Sequence, residues 1–232
     1  MKTLSHAVIA LALLAAPALL SPVWAAPPLP SDPRAAKAVQ DYLRAQQAEA
    51  ARDRDQRVAD RMDALANTPA SPVLGNPKGD VSIIVFSDYN CPYCKLAEPR
   101  LMALIAADKG VKIVMKEFPI LTRASMTASR MALAAHKQGK YRPFHLALMR
   151  REGVLDDAGI FETARATGLD MARARRDMQA PDVSDEIIAN FNLARGIRAF
   201  QTPTYIVGGR ILNSDSANIN FAQEVAAARR RK

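Results

Sequence analysis

The feature that most constrains this chain is a nearly continuous apolar run, Val81-Ser82-Ile83-Ile84-Val85-Phe86, with Cys91-Pro92-Tyr93-Cys94 just beyond it. A run of this length and composition reads as a central strand covered on both faces. A Cys-x-x-Cys pair directly after such a strand falls at the start of a helix, where two thiols one turn apart form a redox pair. These are the only two cysteines in 232 residues. A disulfide between them would close a minimal loop, and the stabilisation from closing a loop grows with its length. The pair is therefore read as chemistry rather than as a staple.

Its placement predicts how the two sulfurs differ. Cys91 at a helix N-terminus faces unpaired backbone N–H groups and the positive end of the helix dipole, and both favour thiolate over thiol. A stable thiolate is also a good leaving group, so a mixed disulfide formed there resolves readily. Cys94, one turn further in, is expected to be more buried and less acidic, and to act as the resolving thiol. Pro92 fixes φ in the first turn and lacks an N–H. Tyr93 adds bulk beside the sulfur and tunes access to it. Far along the chain, Thr202-Pro203 precedes a predicted strand, a position where a cis X-Pro bond makes a tight turn. An ordinary trans turn proline is the alternative there.

Two thiolates also suit Cu(I), so a Cu(I)-binding carrier is another use of the same cysteines. Structural zinc needs four ligands, and the spacing from the cysteines to His136 and His145 matches no zinc pattern. Those histidines read as surface or helix-packing residues. The methionines are scattered at helix positions and read as core filler. No metal site and no cofactor is assigned.

The flanks set the context. Residues 1–25 carry Lys2, then the uncharged stretch Ala7–Leu20, then Val23-Trp24-Ala25, the pattern of a secretory signal peptide cut near Ala25. The apolar stretch is short for a membrane anchor, and Pro17 and Pro22 interrupt it. Export places the cysteines where disulfides persist. Net charge is +9, falling to +8 without Lys2. No basic, aromatic-bearing motif accompanies that charge, so nucleic acid is not a predicted partner. The basic run Arg229–Lys232 reads as a solvated surface.

Residues 26–70 comprise a Pro-rich linker and a polar segment, 34–67, that holds no Gly or Pro and reads as one long helix with Asp32 as N-cap and Pro33 at its first position. Its apolar face is thin: Val39, Tyr42 and Leu43, then Val58, Met62 and Leu65. Such a helix builds no core alone, and is either a solvated spacer or a stalk joining copies of the chain. The segment 68–79 reads as a Pro/Gly link, and residues 71–232 as the compact domain. Within it, strands are predicted at 81–86 and 111–118 around a helix at 95–107. A helical block follows, inserted at about 120–195. A hairpin at 204–212 around Gly208-Gly209 and a final helix at 219–230 complete it.

These motifs in this order resemble the DsbA-like thiol-disulfide oxidoreductase family. The resemblance rests on Cys91–Cys94, Thr202-Pro203-Thr204 and Glu117-Phe118-Pro119, together with Ser125, Ala132–Ala135, Gly139-Lys140-Tyr141 and Phe144-His145, and covers roughly residues 79–225. It implies an α/β chain with a thioredoxin fold and an inserted helical domain, here preceded by a long N-terminal helix. It further implies that Pro203 is cis beside the cysteines and that Thr202 presents its backbone to a client strand. Within the family, Asp88–Lys95 and the N-terminal helix are most similar to the suppressor-of-copper-sensitivity C proteins, some of which are trimeric disulfide isomerases. The resemblance thus implies a periplasmic enzyme acting on client proteins with thiols or disulfides, as an isomerase or reductase, or alternatively as a dithiol oxidase. It also implies a membrane redox partner of DsbD-like or DsbB-like type, and a homo-oligomer formed through residues 34–67. The prototype oxidase has Val at the position of Thr202 and His at that of Tyr93.

Overall fold

The computed structural model describes residues 32–212 and 218–231, so the segment read as a signal peptide lies outside the described residues. The chain divides into two units, one up to Gln46 and one from Gln47 onward. Helix α1 (Pro33–Ala59) begins as its sequence dictates, with Asp32 accepting a hydrogen bond from the Arg34 N–H at 2.9 Å. In the first unit this helix pairs Lys37 with Asp41 across one turn and leaves Tyr42 and Leu43 64 % and 49 % exposed.

In the second unit a five-stranded sheet runs in the order β1 (Val73–Gly75), β3 (Val111–Glu117), β2 (Val81–Ser87), β4 (Thr204–Val207), β5 (Arg210–Ile211). The β2–β3 pair is parallel, as required when helix α3 (Pro92–Ala107) connects them; the other pairs are antiparallel. Strand β1 lies in the segment expected to be a link. Gly208 and Gly209 take positive φ, 55° and 83°, the geometry a two-residue hairpin needs between β4 and β5.

Successive residues of β2 point to opposite faces, so its apolar run feeds two cores. Ile83 and Val85 pack with Ile113, Met115, Tyr205 and helix α3 on one face. Ile84 and Phe86 pack with Val114, Ile206, Ile197 and Phe118 on the other. The first core continues into the insert, helices α4 (Arg123–Lys137), α5 (Tyr141–Arg150), α6 (Asp157–Ala166) and α7 (Met171–Asp177). Helix α8 (Pro181–Gly196) places Val183 and Ile187 against Leu133 of α4, and its end, at Ala194, against the sheet. Helix α9 (Phe221–Arg230) closes the first face with Phe221 and Val225. The basic run at its end is not merely solvated: Arg229 donates to Asp80 and Asp108 at 2.7–3.0 Å.

The polar helix expected to run unbroken to residue 67 instead breaks at Asp60–Arg61 and resumes as α2 (Met62–Ala66). Propensity favours continuation, but tertiary packing overrides it. With the break, Val58 and Leu65, both fully buried, enter the second core together. Two lysines of β3 hold α2 and the segment after it. Lys116 donates to Ala64 O at 3.2 Å and to Ser71 Oγ at 2.7 Å, and Lys112 donates to Ala66 O at 3.2 Å. Ser71 donates in turn to Glu186 Oε1 at 2.6 Å. Leu65→Ala should cost about 2–5 kcal/mol by urea unfolding, the penalty for emptying a buried leucine site; a loss below about 0.5 kcal/mol, typical of a surface change, would show that α2 is not part of the core.

Candidate active site

Cys91 is the N-cap of α3, with φ −80° and ψ 115°, and Pro92 takes the first helical position. The Cys91 N–H donates to Asp88 O at 3.0 Å, and Cys91 Sγ accepts from the Cys94 N–H at 3.4 Å. From the other side of the sheet sequence, the Cys91 thiol donates to Thr202 O at 3.3 Å. The Thr202–Pro203 bond is cis. The fold thus brings Cys91, Cys94 and Thr202 together across more than a hundred residues of sequence. Both cysteines are free thiols, 2 % and 4 % exposed, while Tyr93 is 57 % exposed.

The two sulfurs titrate apart. The Cys94 thiol hydrogen-bonded to Cys91 lowers the Cys91 pKa against the opposing effect of burial. With the Thr202 side chain and the N–H groups of Cys94 and Tyr93, it brings that value to about 6. Cys94 goes the other way: burial raises it, and so does the neighbouring Cys91 sulfur, while the Asp88 backbone and Ser87 side chain oppose the rise. The Thr202 hydroxyl is buried with no hydrogen-bond partner beside the protonated thiol. It is free to donate once that thiol becomes a thiolate.

Two residues just before the motif fasten this loop. Asp88, fully buried, accepts four hydrogen bonds: from the Asn90 N–H and Ser125 Oγ at one oxygen, and from the Ile120 and Leu121 N–H groups at the other, all at 2.7–3.0 Å. Asn90 donates to Thr122 Oγ1 at 2.8 Å and accepts from the Leu155 N–H at 2.6 Å. Thr122 and Ser125 also form the capping box that starts α4.

Behind the loop lies a buried polar network that sequence reading missed. Glu117, at the end of β3, accepts from Tyr89 (3.1 Å), Tyr141 (2.8 Å) and Ser129 (2.8 Å). Tyr89 and Tyr141 also lie 2.9 and 3.3 Å from His145 Nδ1, and His145 Nε2 lies 3.3 Å from Glu98 Oε2 of α3. His145 is fully buried inside this network, between the two tyrosine rings. Burial raises Glu117 to about 7, opposed by His145 and by the three hydroxyl donors. The legible signal was Glu117 itself, an acid closing a strand whose other residues are almost all buried.

This arrangement can hold a nucleophilic thiolate at Cys91 near neutral pH and keep a protonated partner thiol behind it. Alkylation of Cys91 should therefore rise with pH about a midpoint near 6, and Thr202→Val, which removes a donor to the thiolate, should move that midpoint up by about 0.5–1. A midpoint above 8 in the parent protein would overturn the assignment. A second expectation concerns Glu117, which keeps its proton in the fold up to about 7 but releases it near 4.5 when unfolded. Between those values the native state binds more protons, so this group lowers stability as pH rises. Glu117→Gln should flatten that fall in urea titrations across the window; an unchanged slope would refute it.

Comparison with known proteins agrees with this geometry. The DSBA-like thioredoxin domain matches residues 82–226. A thioredoxin-like oxidoreductase from Silicibacter pomeroyi DSS-3 is 40 % identical, over 72 % of this chain and 97 % of that one, with a TM-score of 0.69. The catalytic domain of Proteus mirabilis ScsC is 27 % identical, over 75 % of this chain and 97 % of its own, with a TM-score of 0.67. The Na(+)/H(+) antiporter NhaA 3 of Salinispora tropica is 27 % identical over 140 residues, 60 % of this chain, which spans only 22 % of that relative's length. The sheet order, the α4–α7 insert and the Cys-x-x-Cys pair at the head of α3 are those of a thioredoxin-like fold. The chain belongs to the DsbA-like thioredoxin domain family, with Cys91 and Cys94 as its cysteine pair.

Proposed function

We propose that this protein is a thiol-disulfide oxidoreductase that exchanges disulfides with client proteins through Cys91 and works as an isomerase or reductase. The observation that carries the reading is the split between an acidic Cys91, beside the Thr202 carbonyl, and a buried, reluctant Cys94 behind it. The Cys91 thiolate attacks one sulfur of a client disulfide, forming a mixed disulfide and releasing a client thiolate. In isomerisation another client thiolate attacks the client sulfur of that bond, expelling Cys91 with no net redox change. In reduction Cys94 loses its proton and attacks the Cys91 sulfur. The client leaves with two electrons, and the protein is left with a Cys91–Cys94 disulfide. Pro92 and Tyr93 tune the nucleophile, and Thr202 and Pro203 form the loop that receives the client strand.

Thr at 202 and Tyr at 93 favour this branch over a dithiol oxidase. So does α1, whose exposed Tyr42 and Leu43 suit pairing between copies through the part of residues 34–67 that precedes Val58, since Val58 and Leu65 are buried in this chain's own core. In this reading residues 1–25 direct export to the periplasm, the exposed N-terminal part of 26–70 forms the stalk, and a DsbD-like membrane partner restores the dithiol. The second reading, an oxidase recycled by a DsbB-like partner, is favoured by the low Cys91 pKa, because a good leaving group makes the disulfide oxidising.

The reduced protein should restore activity to a client whose disulfides have been scrambled, and Cys91→Ser should abolish that rescue. No rescue, with rapid oxidation of a reduced client by the disulfide form, would replace the isomerase reading with the oxidase.

A further inference from the structure

The residues on either side of the cysteine motif both reach to the same loop. Asn90 precedes Cys91 and accepts from the Leu155 N–H at 2.6 Å. Lys95 follows Cys94 and donates to Arg151 O at 2.8 Å and Gly153 O at 3.0 Å. The loop, residues 151–156 between α5 and α6, has no regular structure of its own, and turns through Gly153 at φ 72°. It is also pinned from behind. Leu155 is buried in the main core, Asp156 caps α6, and Arg151 donates to Glu162 and Thr163. Against that fixed backbone, Val154 stands 79 % exposed.

A connection between two helices needs none of this. It could be polar and loose, and the two residues bracketing a reactive pair could serve the pair instead. We infer that Asn90 and Lys95 are positioning residues that hold the 151–156 loop as a wall of the exchange site, where Val154 meets apolar residues flanking the cysteine of a polypeptide client. The inference rests on the disulfide-exchange reading of Cys91. A backbone ordered in advance loses little entropy on binding, which is what fastening the loop at both ends provides. Tyr93 and Leu96, each 57 % exposed, lie in the first turns of α3, as does Lys95, which holds the loop. A small disulfide has no chain to lay along this wall, so the wall discriminates by substrate size and apolar character. None of the groups that lower the Cys91 pKa belongs to Asn90, Lys95 or the loop.

The test compares two rates for each variant: reduction of a scrambled multi-disulfide protein, and reduction of glutathione disulfide. In Lys95→Met, which keeps the aliphatic stem and removes both carbonyl contacts, the ratio of protein rate to glutathione disulfide rate should fall about tenfold. Val154→Asp, at an exposed position where folding is not at stake, should lower the ratio comparably. The Cys91 alkylation midpoint should stay in place in both. An unchanged ratio in Val154→Asp, or both rates falling together in Lys95→Met with a shifted midpoint, overturns the inference. If the parent protein reduces neither substrate, it is the exchange reading of Cys91 that fails.

Discussion

The carboxyl group of Asp88 is the constraint on which the site depends. It has no exposed surface, and a buried polar group of this kind is tolerable only when its hydrogen-bonding capacity is filled. Four donors fill it, and they come from three places: the cysteine loop, the 120–121 segment and the start of α4. The same residue's carbonyl receives the Cys91 N–H. One side chain thereby fixes the distance between the helical insert and the N-terminus of α3. The low pKa of Cys91 requires that fixity, because its sulfur must stay within reach of Cys94 in the same turn and of Thr202 on the loop that leads into β4 from the far end of the chain.

The polar interior divides into parts with separate duties. On the cysteine side, donors converge on a sulfur and favour its charged form. Deeper in, Glu117, Tyr89, Tyr141, His145 and Glu98 join β3, the cysteine loop, α5 and α3 into one network. On the opposite face of the sheet, Lys116, Ser71 and Glu186 tie the α2 turn and α8 together. Each cluster sits at a junction where apolar packing alone would let elements slide, and directional bonds set the register.

What could be read from the sequence was whatever local pattern encodes. The buried run of β2, the thiol pair at a helix start and the Gly-Gly hairpin each carry their own signature. The insert was legible as a helical block. The break in the polar helix was not, because nothing between residues 34 and 67 opposes helix; the cause is Leu65 meeting a sheet face whose residues include Ile206, from the far end of the chain. Strand β1 was hidden in a Pro/Gly-rich stretch, and three residues are too few for a pattern. His145 looked like a surface or packing residue because only Tyr141 lies one helical turn away, while Tyr89, Glu98 and Glu117 come from distant parts of the chain. Asp88 read as an ordinary polar residue after a strand, since its donors are known only once the insert folds back.

From Ser87 to Lys95 nearly every side chain is committed to a partner, with Pro92 and Tyr93 the two that face solvent. The two residues that separate the cysteines are therefore also the pair with the fewest architectural duties. Substitutions of the side chains at 92 and 93 leave the bonds of Asp88, Tyr89, Asn90 and Lys95 in place, so the scaffold around the sulfurs stays intact. The fold separates the part of the chain that natural variation can adjust from the part it must preserve.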